Sequence, residues 1–149
     1  MSIMDKISNR NLYEFERTEP SLYSFSFLFE EITSLEELFV KINIDTEKYQ
    51  ISLFFNFLRN GLPYSVRDKT KRLLLAKYFL KMNRFLKGSN FTVNPLSGEF
   101  ILILNNYCTH QQFDYFLFEP SKFITYLNTE LKRGKNLIEY YLNNMRPIF

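Results

Sequence analysis

The stretch from Ser65 to Tyr107 constrains this chain most, because it changes period once and carries its own stop signals. From Val66 to Leu86, the residues Leu74, Leu75, Tyr78, Phe79, Met82, Phe85 and Leu86 fall on one arc at about 100° per residue, which predicts a helix. Ser65, with Asp68 three residues on, predicts its N-terminal cap. Gly88, in Lys87-Gly88-Ser89-Asn90, suits the left-handed position that ends a helix. Phe91–Asn94, Pro95–Gly98 and Glu99–Leu104 then read as strand, turn and strand, with Pro95 presetting the turn and Gly98 relieving it.

The flanking segments repeat these signals. Ile3, Met4 and Ile7 are at helical spacing within residues 1–19, which predicts a short first helix ended by Pro20. Tyr23, Phe25, Phe27 and Phe29 alternate with smaller residues. That favours a strand with one aromatic face over the alternative, a helix capped by Ser21. Leu38, Val40, Ile42 and Ile44 form a second alternating run, and Tyr49, Ile51, Leu53, Phe55 and Phe57 a third. Asp45-Thr46-Glu47-Lys48 joins them as a hairpin. Asn105 to Glu119 reads as a connection, and Glu119-Pro120-Ser121 opens a closing helix. Its apolar arc runs from Phe123 to Met145 and includes Glu130, which would need a partner. The order is α-β-β-β-α-β-β-α: an α+β fold, an antiparallel sheet with helices packed on it, in one domain over residues 1–149.

Little in the chain supports catalysis or a cofactor. There is one histidine, His110, and one cysteine, Cys108, so neither an internal disulfide nor a four-ligand zinc site can form. No phosphate-binding glycine motif is present. The paired carboxylates Glu30-Glu31 and Glu36-Glu37 read as strand-end charges that keep an edge soluble. These features predict no enzyme, no cofactor and no metal. The start of the chain lacks an apolar run and a cleavage site, and the longest apolar runs are about 8 residues against the ~20 needed to span a bilayer. A cytoplasmic protein with no membrane partner is expected.

Two surfaces stand out. The arc of the central helix opposite its apolar face carries Lys69, Lys77, Lys81, Arg84 and Lys87, with Leu73 and Leu80 aligned in its middle. A cationic face alone would suit nucleic acid and a small regulator. The leucines point instead to contact with another chain, so nucleic acid is the alternative reading. The second surface is the sheet. Helices on one side leave the other uncovered, and the cleanly alternating set Tyr23, Phe25, Phe27 and Phe29 is the better core candidate. Phe39, Phe54 and Leu58, on the minority faces of their strands, are therefore assigned to a partner-binding face.

"RLLLAKYFLKMNRFLKGSNFTVNPLSGEFILIL" and "EPSKFITYLNTELKRGKNLIEYYL", between Arg72 and Leu142, resemble the helix, hairpin and closing helix of the class I chaperones of type III secretion, the Tir-chaperone family. The resemblance implies a homodimer, with Leu73, Leu80 and Lys77 in its interface. It also implies a virulence-associated role in which the N-terminal part of a secreted effector wraps around the chaperone in a non-globular state, without ATP.

Overall fold

The period-two runs become strands, and in a computed structural model of the protein, which describes residues 16–148, they pair antiparallel throughout. Among the described residues the strands are β1 (Glu16–Glu19), β2 (Leu22–Glu31), β3 (Glu36–Asp45), β4 (Gln50–Arg59), β5 (Leu62–Pro63), β6 (Ser89–Val93) and β7 (Phe100–Tyr107). The helices are α1 (Lys69–Asn83), α2 (His110–Phe118) and α3 (Pro120–Met145). The sheet order is β1-β2-β3-β4-β7-β6, with β5 paired to β4. From β2 onward the succession is the expected β-β-β-α-β-β-α, with β5 and α2 added. β1 occupies the end of the segment expected to be helical, while Ile3, Met4 and Ile7 lie outside the described residues.

Both hairpins predicted from sequence close on side chains chosen for turns. Asp45 accepts hydrogen bonds from the backbone N–H groups of Glu47 and Lys48, each 3.0 Å. Asn94 does the same for Leu96 and Ser97 at 2.9 and 3.2 Å. Gly98 sits at φ 75°, and a Cβ there would collide with the Val66 carbonyl, so both the turn and its close approach need glycine.

The core lies on one face of the sheet. Leu38, Val40, Ile42 and Ile44 of β3, Ile51, Leu53, Phe55 and Phe57 of β4, and Phe100, Leu102 and Leu104 of β7 are all buried there. Burying each side chain of this size contributes about 1.5–3 kcal/mol. Tyr23, Phe25, Phe27 and Phe29 extend this face as expected, half-buried, with the Phe29 and Phe55 rings 6.4 Å apart. α1 packs on its edge through Leu75, Phe79 and Met82, with Phe79 stacked on Phe91 at 5.2 Å. α3 covers the centre through Phe123, Leu127, Leu131, Ile138 and Leu142. Its Gly134 lies against Phe55, so closely that a Cβ would overlap the ring; the missing side chain sets how near α3 approaches the sheet.

Several local readings change. α1 begins at Lys69 because Asp68 is itself the cap, accepting from the N–H groups of Thr70 and Lys71 at 2.8 and 3.1 Å. Ser65 instead bridges to Glu99, and the Val66 N–H bonds to Gly98 O at 3.0 Å, so this segment holds the second hairpin. Leu74, placed on the apolar arc by the helical wheel, is 50% exposed, since α1 lies over the sheet's end and buries only a narrow stripe; Phe85, placed on the same arc, is 79% exposed because α1 ends at Asn83 rather than running on to Leu86. The connection after β7 contains α2, started by a capping box between Thr109 and Gln112. Glu36 is not a solvated charge. Its side chain is 5% exposed and is held by Arg146 at 2.7 and 3.1 Å and by Arg59 at 3.1 Å, which ties α3's end to the sheet. The Arg146 hydrogen bonds, reinforced by Arg59, pull the Glu36 carboxyl below its ordinary value against the opposing effect of burial. Glu130, as required, has partners: Asn106 at 3.1 Å and Arg133 at 2.6 Å.

Candidate functional site: the outer face of the sheet

Because side chains alternate along a strand, every core residue on β3, β4 and β7 has outward neighbours. Antiparallel register lines these up in rows. Leu28, Phe39, Asn56, Ile101 and Thr92 form one row across five strands. Ser26, Lys41, Phe54, Ile103 and Asn90 form the next. The three α-helices pack against the other face. Phe39, Phe54 and Leu58, assigned to this surface from sequence, do lie on it, each half-buried. Leu28 is 56% exposed. Ile101 and Ile103 join the same belt, and Leu58 stands at its end, opposite Glu37 and Pro63.

Below this belt the face turns polar. Ser24 donates to Asn43 at 2.7 Å, and Ser52 donates to Asn105 at 2.8 Å, with Gln50 also reaching Asn105 at 3.4 Å. A shallow depression of about 330 Å³ opens where the two zones meet, between Phe54, Ile103 and this amide cluster. A second, of about 390 Å³, lies beside Asn56 and Ile101. Apolar side chains next to amides that can both donate and accept form a surface suited to an extended polypeptide, which carries alternating side chains and a polar backbone. Outward rows recur every two residues, about 6.6–6.8 Å, which is also the same-side spacing of an extended ligand.

The sheet's edges are less available. The free side of β6 is closed at Phe91, whose N–H and carbonyl are both bonded by the Asn83 side chain at 2.9 Å. One amide from the end of α1 thus takes the place of a neighbouring strand. The signal in sequence was a lone asparagine at a helix end, indistinguishable from a capping residue. β1, at the other edge, is four residues long and begins and ends on glutamate.

The remaining expected residues are not brought together here. Leu73, Leu80 and Lys77 are exposed on the outward side of α1. Cys108 is half-buried, and burial pushes its thiol upward, away from the thiolate. His110 opens α2, 3.4 Å from Asp114 and edge-on to Tyr49. Among the described residues no group of side chains could hold a metal ion, and no helix is long and apolar enough to cross a membrane. No family model, no curated protein and no solved structure matches the chain.

Proposed function

We propose that the chain is a non-catalytic protein-binding module that carries an extended segment of another polypeptide on the outer face of its sheet. In the setting that its sequence resemblance implies, it is an effector chaperone of type III secretion. There it holds the N-terminal part of a secreted protein unfolded, without nucleotide. One observation carries the reading: helices pack on one face of the sheet, while Leu28, Phe39, Phe54, Ile101 and Ile103 stand in two adjacent rows on the other, with Asn56 and Lys41 among them. Apolar rows of this kind on a sheet are a liability unless something binds them. With the β6 edge closed by Asn83, affinity comes from side-chain burial on the face rather than from strand addition at that edge.

The test is co-expression with each protein encoded beside this chain's gene. A stoichiometric complex is expected, weakened about 30-fold or more by Phe54→Ala if that ring anchors the ligand. Absence of a complex, or one indifferent to both Phe54→Ala and Phe39→Ala, overturns the reading.

A further inference from the structure

The outward side of α1 is a second surface, independent of the sheet face. Lys69, Leu73, Lys77, Leu80 and Arg84 succeed one another along one stripe, alternating cation and leucine. Leu73 and Leu80 are 56% and 69% exposed. Beside the stripe, α1 and the tip of the β6–β7 hairpin enclose a groove of about 510 Å³, lined by Leu73, Ala76, Val93 and Leu96, with Lys69 at its rim. Leu96 is 86% exposed at the hairpin tip. The groove's far wall is fixed, because Arg72 bonds the Val66 and Pro95 carbonyls and so ties the hairpin to the helix.

The charge on this surface is one-sided. The 15 residues of α1 contain Lys69, Lys71, Arg72, Lys77 and Lys81 and no acid. Lys69 and Lys71 stand in the first turn, where the helix dipole disfavours cations. A second copy docked here would set lysines against lysines and desolvate them. Nucleic acid would use the cations but leave two aligned leucines and an apolar groove unfilled.

We infer that the α1 ridge and its groove bind an acidic amphipathic helix of another protein. Its leucine-type side chains, at i, i+3 or i+4 and i+7, enter beside Leu73 and Leu80, and its carboxylates pair with Lys69, Lys77, Lys81 and Arg84. This site is separate from the sheet face and does not rest on peptide binding there, but it takes the place of the homodimer through Leu73, Leu80 and Lys77 that the resemblance implies.

The test uses the full chain and a fluorescein-labelled synthetic helix of about 15 residues, long enough to form several turns, with leucines on one face and glutamates beside them. Fluorescence anisotropy should show saturable binding that weakens as salt rises from about 50 to 200 mM. Leu73→Ser with Leu80→Ser should weaken it about tenfold or more, a loss of about 1.4 kcal/mol. Phe54→Ala should leave it unchanged. Circular dichroism confirms that each variant is folded. Three results overturn the inference. The first is equal binding of polyglutamate, which means charge attraction alone. The second is tighter binding of a single-stranded oligonucleotide that ignores the leucine substitutions. The third is a wild-type dimer in light scattering that Leu73→Glu with Leu80→Glu converts to monomer, which assigns the ridge to a second copy.

Discussion

Replacing Glu36 by Gln probes how the closing helix is fastened to the sheet. The substitution keeps the side chain's shape but removes the charge that Arg146 and Arg59 share, and turns an N–H₂ toward guanidinium groups. Breaking a fully buried ion pair by removing one partner costs about 3–5 kcal/mol. Here the carboxylate is 5% exposed but the two arginines are 38% and 36% exposed, so water takes up much of what they lose. A cost of about 2 kcal/mol is therefore expected. For a chain of this length that corresponds to a fall of about 4–8 °C in Tm. Because the folded Glu36 carboxyl titrates below its ordinary value of 4.5, its contribution is fully present above that pH and disappears as pH falls through the folded value. Urea unfolding followed by tyrosine fluorescence should show a constant gap between wild type and Glu36→Gln from pH 8 down to about 5.5, closing in more acid solution. Arg146→Met combined with Glu36→Gln should cost less than the sum of the two. Equal stability of Glu36→Gln and wild type at pH 7, or a gap that persists unchanged in acid, would refute the reasoning.

Gly134→Ala should destabilise the protein although alanine is the better helix former by about 1 kcal/mol, because overpacking against the buried Phe55 ring costs about 1–3 kcal/mol. Phe55→Leu should restore part of that loss in thermal melts. Asn83→Ala should cost about 1–3 kcal/mol by stranding the Phe91 N–H and carbonyl, and light scattering should detect association through the opened β6 edge. Phe55→Ala should cost about 3–5 kcal/mol, as expected for a buried aromatic ring, whereas Phe54→Ala and Phe39→Ala should leave Tm nearly unchanged.

Strand alternation made most of the fold legible from sequence. In β4, Ile51, Leu53, Phe55 and Phe57 face one way and Phe54 and Leu58 the other, and the register with β3 and β7 keeps that division across the sheet. Both hairpin turns were legible for the same local reason: Asp45, Pro95 and Gly98 act within a few residues of where they stand. What was illegible depends on distance. Glu36 looked like a surface charge because its arginine partners lie 23 and 110 positions away. Gly134 and Asn83 likewise take their meaning from Phe55 and Phe91, which only tertiary structure places beside them. α2 was a missed local signal: Thr109 and Gln112 form a capping box that the aromatic cluster behind it obscured. The α1 wheel assigned Leu74 inward because periodicity gives the direction of an apolar face but not how wide a stripe the sheet will cover, and Phe85 inward because it carried the helix past its end at Asn83.

The central claim is that a partner polypeptide lies on the outer sheet face, and isoleucine methyl NMR tests it directly. Ile101 and Ile103 are on that face, while Ile42, Ile44 and Ile51 are in the core and Ile138 is on the buried side of α3. Titrating in the N-terminal segment of the secreted partner should shift the methyl signals of Ile101 and Ile103 and leave those of Ile42, Ile44, Ile51 and Ile138 in place. Saturable binding with Ile101 and Ile103 unmoved would contradict the account.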